Sequence, residues 1–220
     1  MATDRFSINE AIGFGWNTTK TNFVFFIGIT VIVLATQFHG AILQGLLHVY
    51  KLPSYPIDVF IGLVVGPVVN IGVTRISLRF CDNQKGKFSD FFTCLHLFFK
   101  YLAGTILYGL IVIGGMLLLI VPGIIWSIKF QYYGYFIVDK GFGPIKALEA
   151  SSNLTDGIKW DLFLFGLLLF CINLLGLLCL VVGSFATVPT TMVANAFVYR
   201  RLESQLDVNQ TSIRDIARNG

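Results

Sequence analysis

Charge is what this sequence has least of. Charged residues make up 13% of its 220 residues, against about 25% in a typical soluble domain. Hydrophobic residues make up 55%, so the charged side chains are too few to cover a folded surface in water. The composition excludes an ordinary soluble domain and predicts a polytopic membrane protein. The net charge of +4 does not indicate nucleic-acid binding, because Lys and Arg mark the cytoplasmic side of membrane proteins.

Motifs for catalysis, metal binding and disulfide formation are also missing. The four cysteines form no C-x-x-C pair and no Cys/His cluster, so we predict neither a disulfide framework nor a zinc site. The three histidines are scattered, and no Ser-His-Asp set, phosphate loop or pair of catalytic carboxylates can be assembled. We therefore predict a non-enzymatic protein without a metal or a cofactor. No signal peptide is predicted, because no short basic start precedes an apolar core.

Long uncharged runs fill the chain instead. No charge occurs between Lys100 and Lys129, and this run is too long for one span, which needs about 20 residues. The sequence Val121-Pro122-Gly123 is a turn signal inside the run. We predict two transmembrane helices folded as a hairpin over residues 101–139, with Lys129 inside the second helix.

The same hairpin is predicted once before and once after. Spans are expected over residues 22 to about 47 and about 58–80, and two more over residues 162–199, which carry no charge. The break between the last two is expected near Gly183-Ser184. The predicted fold class is therefore all-α, a polytopic membrane bundle of about six transmembrane helices.

A short amphipathic helix is predicted before each hairpin. The first opens with a capping box, in which Ser7 and Glu10 pair their side chains with backbone N–H groups. The second follows Ser89-Asp90, and the third runs from Pro144 to about Thr155. Such helices are expected to lie in the membrane interface. The expected apolar stripes are Ile8, Ala11, Ile12 and Trp16 in the first, and Phe91, Phe92, Leu95, Phe98 and Phe99 in the second.

These features predict a threefold internal repeat within one membrane domain, residues 1–202. The repeat units cover about 6–80, 88–139 and 143–202, and a polar tail, 203–220, is either a surface helix or disordered. In each unit an acid stands ten positions before a lysine, and each second span carries a proline. The residues concerned are Glu10 and Lys20, Asp90 and Lys100, Glu149 and Lys159, and Pro67, Pro122 and Pro189.

Positive charge predicts the orientation of the bundle. The loops after the second and fourth spans and the end of the chain carry most Lys and Arg residues, whereas the other side offers only Lys51. Both termini are therefore expected to be cytoplasmic. The residues on that side are Arg79, Lys85, Lys87, Lys140, Lys146, Lys159, Arg200, Arg201, Arg214 and Arg218.

Lys129 is the first candidate for a binding site. An ionisable residue inside a span indicates function by default, but this lysine has two open interpretations. Its side chain could reach the interface past Tyr132, Tyr133 and Tyr135 or form a structural pair, or it could contact a ligand or a phosphate. Five polar residues of the second spans would form an anion-binding cavity if those spans lined the axis, and they are our candidate ligand-binding residues: Lys129, Arg75, Asn70, Gln131 and Asn195.

Part of the chain resembles a known family. Pro122-Gly-Ile-Ile-Trp126, the segment 132–139, Ala147-Leu-Glu-Ala-Ser151, and Gly157 with Trp160 and Phe163 are similar to the YciC-like bacterial inner-membrane proteins. They are also similar to the membrane domain found beside some glycerophosphoryl diester phosphodiesterases. The resemblance covers residues 121–199 and implies a bacterial polytopic protein of uncharacterised function, with no catalytic residues in this chain.

The sequence leaves two functions open. The first is a structural or accessory protein of the bacterial inner membrane that binds lipid headgroups through cytoplasmic lysines and interfacial helices. The second is a small transporter or channel whose polar cavity centres on Lys129. The expected partners are membrane lipids, with another membrane protein or a second copy of the chain also open. Gly62-x-x-x-Gly66 is the motif for such self-association.

Overall fold

The computed structural model describes residues 5–49, 54–179 and 183–219, and the side chains of all of these except 42–49, 54–57, 92 and 207–219. Every regular element in these residues is a helix, which confirms the all-α class. The helices, with one 3₁₀ turn at Leu95–Leu97, are α1 Ile8–Thr21, α2 Phe23–Val49, α3 Ser54–Cys81, α4 Asp90–Thr93, α5 Phe98–Leu118, α6 Ile120–Phe130, α7 Tyr133–Lys140, α8 Pro144–Leu154, α9 Lys159–Leu178 and α10 Ser184–Asn219.

Four segments of the described chain are long and apolar enough to cross a membrane. They are Phe23–Ala41, Asp58–Cys81, Leu95–Leu118 and Lys159–Leu178. Each exposes large apolar side chains, and Val24 and Leu117 are both 84% exposed. Apolar patches of that extent are rare on soluble monomers, so these surfaces fit a lipid environment. The described residues thus contain four candidate spans, and the prediction of about six spans is not confirmed.

The predicted fourth span is not a single helix. It is divided into α6 and α7, with Gln131 and Tyr132 between them. The break is stabilised by α8: the Ser151 and Thr155 hydroxyls both donate to the Lys129 carbonyl at 3.1 Å, and the Tyr132 N–H donates to Ser151 Oγ at 3.1 Å. Irregular backbone at membrane depth is tolerated only where protein surrounds it, and Ser151 and Thr155 are fully buried.

The turn of the central hairpin falls two residues before its predicted position. The turn consists of Leu119, whose backbone is extended with φ −165° and ψ 152°, and α6 begins at Ile120. Pro122 therefore lies in the first turn of α6, where a missing N–H costs nothing. The two helices touch at their glycines, since a Cβ on Gly115 would lie 3.0 Å from the Gly123 Cα.

Close approaches also occur near the ends of the other two hairpins. In the first hairpin, a Cβ on Gly40 would lie 2.9 Å from Asp58 Oδ1, and the same carboxylate lies 3.1 Å from His39 Nε2. In the third, a Cβ on Gly183 would lie 2.5 Å from the Gly176 carbonyl oxygen. Small residues let helix backbones approach each other in this way.

Helix α1 packs against α10 through a face of small residues. Ser7 caps it as expected, its side chain accepting from the Glu10 N–H at 3.4 Å. The buried face, however, is Ala11, Gly15 and Thr19, while Trp16 is exposed. The small residues permit a close contact with α10, and the interfacial position predicted for the stripe that includes Trp16 stays a prediction.

The second predicted amphipathic helix is shorter than expected. It consists of the four residues of α4 followed by the 3₁₀ turn, and its buried side chains are Phe91, Cys94 and Leu97. Of the predicted stripe, Phe91 is buried, Leu95 and Phe99 are exposed, and the Phe92 side chain lies outside the described residues; its position in the membrane interface stays a prediction. Asp90 turns back to accept from the Lys87 N–H at 2.8 Å instead of capping α4.

Helices α8 and α10 lie close to their predicted positions. Helix α8 covers Pro144–Leu154, one residue short of the expected end, and α10 begins at Ser184, where the break was expected. Helix α10 then continues through Pro189 to Asn219 as one helix of 36 residues. Of the two alternatives for the tail, the helix is therefore the one observed, and it continues the last span without interruption.

We expect the Gly115/Gly123 contact to control the stability of the central hairpin. Gly115→Ala places a methyl group 2.8 Å from the Trp126 ring and against the Gly123 backbone, which should lower the free energy of unfolding by about 1–3 kcal/mol. Its neighbour is a matched control, because a Cβ on Gly114 meets no atom within 4 Å. Gly114→Ala should be neutral or stabilising by up to about 1 kcal/mol. Denaturation of both variants in the same detergent measures this, and equal losses would contradict it.

Candidate functional site

The five candidate ligand-binding residues lie apart from one another. Asn70 is exposed on α3 and donates to the Gly66 carbonyl at 2.9 Å, and Asn195 on α10 donates to the Thr191 carbonyl at 2.9 Å. Arg75 and Gln131 are half-buried, on α3 and between α6 and α7. In the part of the chain that the structure describes, no hydrogen bond or ion pair joins any two of the five. The single cavity expected from sequence is not formed by direct contacts, and ligand binding by these residues stays a prediction.

Lys129 lies at the end of helix α6, just before the break that divides the predicted fourth span. It is the penultimate residue of α6, and its Nζ lies 5.3 Å from the centre of the Phe130 ring. A cation in the last turn is favoured by the helix dipole. The nearby Asp156 carboxylate, in the α8–α9 loop, has a lowered pKa, mainly because of the hydrogen bond from Lys159 and to a smaller extent because of Lys129. Lys129 therefore faces a polar loop.

Arg75 belongs to a charge cluster around Asp90. The Asp90 carboxylate is 4% exposed and pairs with the Arg79 guanidinium at 2.5 Å. Burial alone would raise the pKa of Asp90, but the bonds from Arg79 and the Lys87 N–H, together with the charge of Arg75, lower it below its ordinary value. This cluster connects the end of α3 to the segment that leads into α5.

A larger charge network, which sequence reasoning missed, connects three helices. The Arg200 guanidinium on α10 binds both oxygens of Asp139 on α7, at 2.8 and 2.9 Å, and also Asp82 after α3 at 2.8 Å. Glu203 pairs with Arg200 at 2.9 Å and with Lys140 at 2.5 Å. Two-point Arg–carboxylate contacts are among the strongest polar interactions. The network holds the ends of the three hairpins together, and we call it the charge hub.

The sequence does contain a signal for this hub. An acid stands at or just after the predicted end of the second span of every hairpin, namely Asp82, Asp139 and Glu203. The lysines of the acid–lysine pairs spaced ten residues apart make other contacts. Lys100 donates to the Gly141 carbonyl at 2.9 Å, and Lys159 donates to Asp156 at 3.1 Å. The acids at the hairpin ends were the informative set.

A polar groove opens between α1 and the loop after α3. It encloses about 380 Å³, with the Phe14 and Phe80 rings among its apolar walls. Its other lining residues are all polar: Asn17, Thr18, Thr21, Asn22, Asn83, Gln84 and Lys85. Lys85 is the only charged residue of this lining. The groove thus offers one cation and several neutral donors without a carboxylate.

The start of α2 lies directly beside this polar groove. Phe23 and Val24 are exposed there, immediately after Asn22. Phe25 packs on Phe88 in the loop after α3, with ring centres 4.9 Å apart. A polar opening next to apolar, exposed side chains matches the depth at which lipid headgroups lie. Within the described residues, no group of three His, Cys, Asp or Glu side chains is placed to hold a metal ion.

Comparison with protein-family models, with curated proteins and with solved structures found no match to this chain. The resemblance to the YciC-like proteins therefore stays a prediction. The four apolar helices are compatible with an integral membrane protein. Any statement about its role rests on the geometry of the sites described above.

We expect the charge hub to be required for stability. Arg200→Met removes the partner of Asp139, whose side chain is 9% exposed, and should lower the free energy of unfolding by about 3 kcal/mol. Lys159→Gln is the control, because the Lys159–Asp156 pair is exposed and an exposed ion pair contributes little to stability. Denaturation in detergent compares the two variants. A hub variant no less stable than the control would show that the hub contributes nothing to folding.

Proposed function

We propose that this chain is a non-enzymatic accessory protein of the bacterial inner membrane that binds anionic lipid headgroups on its cytoplasmic side. In this proposal it crosses the membrane six times, and the α6–α7 pair and the first half of α10 supply the two spans beyond the four apolar segments. Both termini are cytoplasmic. The lipid-binding position is the polar groove.

The gathering of charge at one end of the bundle supports this orientation. The charge hub joins the ends of α3 and α7 to the middle of α10. The start of the described chain reaches the same end, since the Arg5 guanidinium donates to the Asp156 carbonyl at 3.1 Å and Gln205 donates to the Arg5 carbonyl at 2.6 Å. A membrane protein with its Lys and Arg at one end is expected to keep that end in the cytoplasm.

The polar groove carries the lipid-binding proposal. The side chains of Asn17, Asn83, Gln84 and Lys85 line it, and none of them has a hydrogen-bond partner within the described residues. A phosphate group accepts several hydrogen bonds and favours a cation, so these donors suit a lipid phosphate. The exposed Phe23 and Val24 next to the groove suit the lipid's acyl chains.

We expect Lys85→Gln to weaken the retention of phosphatidylglycerol by about three- to tenfold. The change removes the only cation of the groove lining and keeps a polar side chain. Lys87→Gln is the control, because Lys87 is exposed in the same loop and does not line the groove. Native mass spectrometry from nanodiscs of mixed phosphatidylglycerol and phosphatidylcholine counts the retained lipids. Equal losses in the two variants would indicate non-specific attraction and would contradict the proposal.

A second candidate function is a small transporter or channel, and the break between α6 and α7 is the observation that favours it. Broken helices next to charged residues form ion and substrate sites in many transporters. Here, however, the carbonyl of Lys129 that such a site would use is already bonded to Ser151 and Thr155. Because this carbonyl is already hydrogen-bonded within the protein, we place lipid binding first.

Lys129→Met distinguishes the two functions. Under our proposal, proteoliposomes loaded with chloride or phosphate should lose these anions no faster than vesicles without the protein that are loaded in the same way. The Lys129→Met variant should retain as much phosphatidylglycerol as the wild type. The physical reason is that Lys129 lies at the end of α6 and outside the polar groove. Anion efflux through the wild type that disappears in a folded Lys129→Met variant would establish the transporter instead.

A further inference from the structure

A second groove, which we call the hairpin groove, lies between α3 of the first hairpin and α5 of the second. It encloses about 420 Å³, within the usual range for ligand sites. Asn70 and Thr105 lie on its two sides, and Tyr101 and Tyr133 also line it. A Cβ on Gly66 would meet no atom within 4 Å, so the groove is open at this glycine.

The hairpin groove lies near the middle of a candidate membrane span. Asn70 is close to the centre of the span Asp58–Cys81, about 18 Å from either end at 1.5 Å per residue. The hydrocarbon core is about 30 Å thick, so a charged headgroup would be expensive at this depth. The polar groups of the groove therefore suit an uncharged molecule.

The hydrogen bonds of the groove show which uncharged group fits. The Thr105 hydroxyl donates to the Tyr101 carbonyl at 2.9 Å. Since its hydrogen is used there, the contact of 2.9 Å with the Tyr133 hydroxyl requires Tyr133 to donate. Both hydroxyl hydrogens are thus occupied, while lone pairs on the two oxygens remain for a donor.

Asn70 adds a further acceptor to the same groove. Its Nδ2 donates to the Gly66 carbonyl at 2.9 Å, whereas its Oδ1 and its second N–H have no partner within the described residues. The Tyr101 hydroxyl, which also lines the groove, donates to the Tyr133 hydroxyl oxygen. With Thr105 and Tyr133, the groove then still has acceptors to spare, and among these polar side chains only the Asn70 amide has a free donor. A ligand hydroxyl can donate to one of these oxygens and accept from Asn70, which a ligand carbonyl cannot do.

We propose that the hairpin groove binds an uncharged lipid alcohol, with its hydroxyl between Asn70 and the Thr105–Tyr133 pair. The acyl chains of such a lipid lie along the apolar walls formed by Leu63 and Ile106, both of which are exposed. This site differs from the polar groove in depth and in charge. The proposal is therefore independent of anionic lipid binding on the cytoplasmic side.

The test uses the full chain in phosphatidylcholine nanodiscs that contain dioleoylglycerol, followed by native mass spectrometry. The comparison probe is dioleoylglycerol with its hydroxyl acetylated, which has similar chains but cannot donate a hydrogen bond. We expect one retained dioleoylglycerol per chain and about tenfold weaker retention of the acetylated lipid. Equal retention of both would mean that the groove holds acyl chains only, and would overturn the proposal.

Two variants locate the site. Gly66→Leu fills the groove from a position where a Cβ meets nothing, and should abolish retention of dioleoylglycerol. Gly109→Leu is the matched control, because a Cβ on Gly109 also meets nothing and Gly109 does not line the groove. Asn70→Leu should remove the preference for dioleoylglycerol over the acetylated lipid, since it removes both the amide donor and the amide acceptor.

The remaining outcomes each overturn the proposal. Retention in Gly66→Leu equal to that in Gly109→Leu would place the lipid elsewhere. Wild-type dimers that retain no dioleoylglycerol and separate in Gly66→Leu would identify a second copy of the chain as the occupant. Monomers that retain neither lipid would leave the groove to water.

Discussion

The structure depends on one constraint, which is that a backbone inside a membrane must satisfy its own hydrogen bonds. Continuous helices meet it along α2, α3, α5 and α9. The break between α6 and α7 meets it differently, because Ser151 and Thr155 of α8 bond the free carbonyl of Lys129 and the free N–H of Tyr132. Helix α8 is therefore part of the bundle core. Its buried Ala147, Leu148, Ser151 and Leu154 fix the point at which the second hairpin bends.

Packing and charge divide the bundle into two unlike halves. At the end with the charge hub, the hairpins are held together by Arg200 and by a buried core that includes Tyr132, Phe136 and Tyr199. Towards the other end, the close approaches occur within each hairpin, at Gly40, Gly115 and Gly183. The hairpins are thus joined to one another on one side and closed individually on the other. Openings between hairpins, such as the hairpin groove, follow from this division.

The sequence predicts the hairpins because their determinants are local. Runs without charge, Pro144 at a helix start and Ser7 before Glu10 each act within a few residues, and the structure bears out the helices they indicate. The break at 131–132 could not be found in this way, because its partners Ser151 and Thr155 lie about twenty residues away in sequence. The face by which α1 contacts the rest of the protein could not be predicted for a related reason. Which face is buried depends on the partner helix, and α1 uses Gly15 against α10 rather than Trp16.

The candidate site shows more strongly that local sequence patterns do not predict which residues meet in the fold. Lys129, Arg75, Asn70, Gln131 and Asn195 share a type of position, and this made one cavity the natural expectation. Shared position along a span does not set the direction in which a side chain points, and Lys129 at the end of α6 is near Asp156 in the α8–α9 loop. Asn70 alone of the five lines a described opening, where the useful signal is its spacing of four residues from Gly66 and eight from Gly62. That spacing places an amide and two positions without side chains on one helical face. An amide beside such an open face at mid-span depth has hydrogen-bonding capacity that the surrounding lipid chains cannot use. This is the physical reason for proposing an uncharged ligand in the groove rather than a role in packing alone.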